Sequence, residues 1–232
     1  MTRQAWQLRA ALCACILTGA GPSLASPRLP DTKPISPSFL LPGDYHNDEV
    51  PDHPGTGWLA LAPNAGGWEL RAAIVKSERI EDVVLDEPGQ RTGIRIAANA
   101  QGALALLRLP YLKSGVRATA SLKTDDEGAV LERGKALDFT FKDNPYRIET
   151  ARGKVVLSQD KVRTRLADLE VNVEADEGSR VLWAGDLDDD GKLDLLMGYA
   201  SKNGGGACLY LSSRAAPGAL VKQVACHGGI GC

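Results

Sequence analysis

The sequence predicts an all-β fold, an antiparallel sandwich or barrel-like domain. Three observations carry this expectation. Short apolar runs recur at about ten-residue spacing from Trp58 onward, turn residues divide them, and several alternate apolar with polar side chains. The run Leu137-Asp138-Phe139-Thr140-Phe141 has the period of two that a half-buried strand requires. Helical periodicity is weak throughout, and only Thr164 to Val173 is compatible with one short helix.

The chain has 232 residues and opens on Arg3 and Arg9, followed by the apolar run Ala10 to Ala20 and the small residues Ser23-Leu24-Ala25. This is the three-part pattern of a secretory signal, expected over 1–25 with cleavage after Ala25. The apolar run falls well short of the roughly 20 residues that cross a hydrocarbon core, and no later stretch is long enough to span a membrane. Residues 26–56 hold seven of the 13 prolines and show no apolar period, so they read as a Pro-rich linker. The patch Phe39-Leu40-Leu41 is its one apolar interruption and offers a segment that can dock onto the domain. His46, Asp48, Glu49, Asp52 and His53 fall in the same stretch and read as solvated polar residues.

Residues 57–232 form the expected β domain. Its runs are Trp58 to Leu61, Trp68 to Lys76, Asp82 to Leu85, Gly93 to Ala98, Ala103 to Leu109 and Val116 to Leu122. They continue through Ala136 to Phe141, Tyr146 to Thr150, Lys154 to Ser158 and Arg180 to Trp183. Leu193 to Tyr199, Cys208 to Ser212 and Leu220 to Ala225 complete the series, with a Gly-rich turn at Asn203 to Gly206 and another turn through Pro217-Gly218. Trp58, Trp68 and Trp183 sit in strand patterns and are expected in the core.

The whole chain carries 27 Lys+Arg against 29 Asp+Glu. Loss of Arg3 and Arg9 with the signal leaves a net charge of −4. A mildly acidic chain lacks the basic face that nucleic acid demands, so no nucleic-acid partner is expected. Cys13 and Cys15 lie in the signal, which leaves Cys208, Cys226 and Cys232. In an oxidising compartment one disulfide is expected, either Cys208–Cys226, across the last predicted hairpin, or a pair using Cys232. His227 beside Cys226 reads as exposed.

One loop carries chemistry. Asp186-Leu187-Asp188-Asp189-Asp190-Gly191-Lys192-Leu193-Asp194 sets carboxylates at positions 1, 3, 5 and 9 and glycine at 6. Calcium takes six to eight hard oxygen ligands. Alternate positions of a tight loop turn their carboxylates towards one centre, and Gly191 permits the positive φ that lets the backbone carbonyl of Lys192 join them. Asp194 closes the shell from the following strand, while Asp189 is expected to face solvent. Magnesium prefers few carboxylates and several retained waters, so calcium is the expected ion.

Position 12 is Met197, which excludes an EF-hand, where a bidentate glutamate would stand. From Trp183 to Ala200 the segment resembles the FG-GAP calcium loop of integrin-type β-propeller blades: a Gly185-Asp186 opening, the Asp-x-Asp-x-Asp-Gly-x-x-Asp core and the apolar strand Leu195 to Gly198. The resemblance implies the ligands Asp186, Asp188, Asp190, the Lys192 carbonyl and Asp194. A propeller repeats its blade and no second copy occurs here, so the metal site is carried over and the propeller is not. The C-terminal half also resembles a family of uncharacterised exported bacterial proteins, which implies an envelope location and no activity.

No Gly-x-Ser-x-Gly elbow, zinc-type His/Glu pair or phosphate-cradling glycine loop occurs. The resulting expectation is an exported calcium-binding β module, periplasmic or secreted, with a structural or binding role towards a protein or glycan. The alternative is an extracytoplasmic hydrolase acting on an envelope or extracellular polymer, with the calcium holding its scaffold.

Overall fold

The computed structural model describes residues 38–122, 128–151, 153–170, 178–201 and 204–230, all within one unit, Lys33–Cys232. The expected signal over 1–25, the first part of the linker and Cys232 lie outside the described residues.

Every strand pairing is antiparallel. The chain runs β1 (Phe39–Leu40), β2 (Gly43–Tyr45), β3 (Trp58–Asn64), β4 (Gly67–Ala73), β5 (Val75–Ile80), β6 (Gly93–Ala98), β7 (Ala105–Leu107) and β8 (Gly115–Arg117). It continues through β9 (Ala129–Val130), β10 (Ala136–Phe141), β11 (Asn144–Ala151), β12 (Lys154–Gln159) and β13 (Val162–Glu170). Last come β14 (Arg180–Gly185), β15 (Asp194–Ser201), β16 (Gly204–Leu211), a 3₁₀ turn at Ser212–Arg214, and β17 (Lys222–Ile230).

Among the described residues four sheets result, none of them closed into a barrel: β2-β6-β5 (sheet I), β1-β7-β3-β4-β8 (sheet II), β17-β16-β15-β14-β9 (sheet III) and β10-β11-β12-β13 (sheet IV). Three apolar layers join them in that order. Leu40, Trp58, Ile94 and Leu106 fill the space between I and II. Phe39, Leu61, Trp183, Leu196 and Leu209 fill that between II and III. Phe139, Ile148, Leu157, Leu195, Met197 and Tyr210 fill that between III and IV. Successive side chains of a strand point to opposite faces, so the central sheets II and III bury both. The run Leu195-Leu196-Met197 sends Leu195 and Met197 one way and Leu196 the other.

Four local expectations are corrected. The second half of the linker is part of the domain: Phe39 and Leu40 are fully buried, and their two-residue strand pairs with β7 in sheet II. The prolines on either side stop the strand from extending but leave these two side chains free to enter two different cores. Asp82 to Leu85 is a turn, not a strand. Asp82 Oδ1 accepts the backbone N–H groups of Val84 and Leu85, and Val83 is 90% exposed. An Asx-type turn takes those donors away from any ladder. The residues compatible with a helix from Thr164 belong to β13 as far as Glu170, because Leu157↔Thr164 pairing places Leu166 in a buried stripe. The glycines of the predicted turn at 203–206 also extend β16, since Gly204↔Ile230 and Gly206↔Gly228 are paired.

Candidate metal centre

The loop between β14 and β15 leaves one end of sheet III and is pinned on both sides of it. Leu187 is buried in the layer towards sheet II, and Leu193 in the layer towards sheet IV. Before the loop, Thr119 bridges Gly185, and Ala118 O accepts the Asp186 N–H at 2.9 Å. A Cβ on Gly185 would lie 2.3 Å from that same carbonyl, so the close approach admits only glycine. Gly191 has φ +84°, the left-handed value the loop's reversal needs.

Asp186, Asp188 and Asp194 converge: one carboxylate oxygen from each lies within 4.8 Å of the others, and the three could hold a metal ion. Asp186 is 5% exposed and Asp194 is fully buried. Asp186 Oδ1 and Asp188 Oδ1 are buried and accept no hydrogen bond. The remaining oxygens are held. Asp186 Oδ2 accepts the Gly191 N–H at 2.9 Å and the Lys142 Nζ at 3.0 Å. Asp194 Oδ2 accepts the Leu187 N–H at 2.7 Å, and its Oδ1 accepts the Ser212 N–H at 2.8 Å and Oγ–H at 3.0 Å. Ser213 Oγ donates to Asp188 Oδ2. Burial pushes the Asp194 carboxyl up to about 7, against the bonds from Ser212 and Leu187 and helped by the charge of Asp188.

One predicted ligand, Asp190, lies outside the three converging carboxylates. Asp190 is exposed, its Oδ1 accepting the Lys192 N–H at 2.8 Å and its Oδ2 the Ser212 Oγ–H at 2.8 Å. It is therefore one serine away from Asp194 rather than in the triad. Lys192 is exposed on the rim. Asp189 does face solvent, with a positive φ of 62°, but it is not idle: it forms an ion pair at 3.2 Å with the buried Arg117. Arg117 Nε also donates to the Leu187 carbonyl at 2.8 Å, which clamps the loop's first turn to sheet II.

Ser212, Ser213, Arg117 and Lys142 carry no motif. Ser212 and Ser213 come from the 3₁₀ turn after β16, Arg117 from β8, and Lys142 from the β10–β11 turn. Nothing in their local sequence marks them, and only the fold brings them to the loop. A cleft of about 570 Å³ runs beside the centre, lined among others by Phe141, Asn144, Tyr146, Lys192, Ser212 and Leu220.

The two cysteines opposite each other in β16 and β17, Cys208 and Cys226, are joined with an S–S distance of 2.09 Å. Their neighbour His227 is 3% exposed, not solvent-facing as its sequence context suggests. Its Nδ1 accepts the Leu41 N–H at 3.1 Å. His46, expected in a solvated linker, instead bonds Asp82 through Nδ1. Trp58 and Trp183 are core residues, 2% and 3% exposed. Among the described residues no helix is long and apolar enough to cross a membrane.

No protein-family model matches the chain, and no curated protein or solved structure is similar to it.

Proposed function

We propose that the protein is an exported β module whose loop 186–194 binds calcium, with a structural or binding role. The observation that carries this reading is the pair of orphaned oxygens, Asp186 Oδ1 and Asp188 Oδ1, buried beside Asp194 without a donor. A buried carboxylate oxygen lacking a partner is costly, and a cation removes that cost. The donor set is all hard oxygen, with no histidine or thiol in the cluster, which favours calcium over zinc or copper. The FG-GAP resemblance implies the Lys192 carbonyl as a further ligand, and implies Asp190 too, which would reach the ion only by leaving Ser212.

A structural role follows from burial. Asp186 and Asp194 lie under the loop, and their other oxygens are committed to holding backbone and serine donors. An ion there would tie β14, β15 and the Ser212–Arg214 turn together at one end of sheet III. Export is supported by the N-terminal pattern and by the Cys208–Cys226 bond, which belongs to oxidising compartments. Extracellular calcium modules bind at about 0.1 to 1 mM, the range available outside cells.

Calorimetric titration tests the reading. With a Kd of about 0.1 mM and free calcium of about 1 mM, mass action stabilises the fold by roughly 1.4 kcal/mol, a rise of about 3–6 °C in Tm that chelation reverses. Asp188→Ala removes one ligand oxygen and weakens binding. Equal affinity in wild type and Asp188→Ala, or no calcium binding by either, refutes the proposal. Intact mass of protein recovered from periplasm or medium tests export, with Ser26 expected as the first residue.

A further inference from the structure

Resting on the calcium reading above, we infer that Lys142 sets the affinity of the metal centre, acting as a built-in cation that competes with calcium for Asp186. Lys142 sits in the tight turn between β10 and β11. It and Asp143 both take positive φ, 46° and 63°, and the Asn144 side-chain amide donates to the Lys142 carbonyl at 2.9 Å. From that turn the ammonium reaches out of sheet IV to the loop of sheet III and rests 3.0 Å from Asp186 Oδ2.

Three features make the contact a competitor rather than a support. First, the two partners differ in burial. The Asp186 side chain is 6% exposed and that of Lys142 is 47% exposed, so the lysine can withdraw into water at little desolvation cost while the carboxylate cannot. Second, Asp186 does not need the lysine for its orientation, because the Gly191 N–H holds the same oxygen at 2.9 Å. Third, the ammonium and an ion on Asp186 Oδ1 would share one carboxylate. An ion about 2.4 Å from that oxygen would stand within a few ångströms of a like charge.

Lys142 therefore stabilises the metal-free loop, where it partly neutralises three converging carboxylates, and opposes the metal-bound one. The two effects add in the same direction for affinity. Solvent screening of a half-exposed lysine limits the gain on neutralising it to about threefold to tenfold.

The test is calorimetric calcium titration of wild type, Lys142→Gln and Lys142→Arg, with thermal melting of each in chelator. Lys142→Gln keeps a donor and loses the charge. It is expected to bind calcium about threefold to tenfold more tightly and, in chelator, to melt below wild type. A residue that only supports the loop would lower both quantities together. Lys142→Arg keeps the charge and is expected to retain wild-type affinity. Added salt should narrow the gap between wild type and Lys142→Gln. Calcium binding by wild type with unaltered or weaker binding by Lys142→Gln overturns this inference and leaves the metal centre standing. Absence of calcium binding in the wild type overturns the centre itself.

Discussion

Acid should loosen the protein through one buried imidazole. His227 Nδ1 accepts the Leu41 N–H, so the ring's hydrogen sits on Nε2, which has no acceptor in its buried surroundings. A proton can be added only at Nδ1, and there it would face the Leu41 donor. The Tyr45 ring packs edge-on at 5.0 Å, with its hydroxyl 3.4 Å from Nδ1 and donating to the Leu41 carbonyl. Burial thus depresses the His227 pKa from 6.5 to about 4. The sign follows from linkage. A base with a depressed folded pKa binds its proton more tightly when unfolded, so its stability contribution is complete above about 6.5 and is lost as pH falls towards 4. Between pH 7 and 4.5 the two pKa values imply a loss of roughly 2 kcal/mol. The assay is urea denaturation of wild type and His227→Gln at half-unit steps over that range. Groups common to both chains cancel in the difference. Wild type should lose roughly 2 kcal/mol more than the variant by pH 4.5, whatever the variant's stability at pH 7. Parallel pH profiles would mean that His227 is solvated, and the reasoning from its burial would fall.

Three other outcomes are expected. Leu40→Ala, at a fully buried site in the layer between sheets I and II, should cost about 2–5 kcal/mol in denaturant unfolding; a loss below about 0.5 would return the segment to the status of a tether. Gly185→Ala forces a Cβ against the Ala118 carbonyl, so it should both lower Tm and weaken calcium binding by displacing Asp186; unaltered calorimetric affinity would uncouple the two sites. Reducing the Cys208–Cys226 bond, which closes a separation of 18 residues, should destabilise by about 3 kcal/mol, and peptide mapping without reductant should recover that pair.

The sheet class was legible because outer sheets keep the alternation of a half-wet strand. In β10, Phe139 and Phe141 are buried while Asp138 and Thr140 are exposed, as the period of two requires. The stacking was not legible. Leu195-Leu196-Met197 is a continuous apolar run because both faces of sheet III are covered, and a run of that kind has no period to read. Phe39 and Leu40 stood out as an apolar patch, but two residues among prolines are too few to show the period of a strand. At the loop, carboxylate spacing pointed to Asp186, Asp188 and Asp194, which do converge. The same spacing could not place Asp190, whose position depends on Ser212, 22 residues away. Nor could it show Arg117, 72 residues before its ion-pair partner Asp189.

The bond from Leu41 to His227 spans 186 residues and ties the first described strands to the last one. A ribosome or an export pore delivers a chain N-terminus first. The segment around β1 therefore emerges early, yet its backbone remains incompletely bonded until β17 has followed. Contacts of such long sequence separation cannot form on a partial chain, and they slow closure even on a complete one. The fold thus has a latch that shuts only once β17 is available. Apolar surface left uncovered before closure is prone to aggregation.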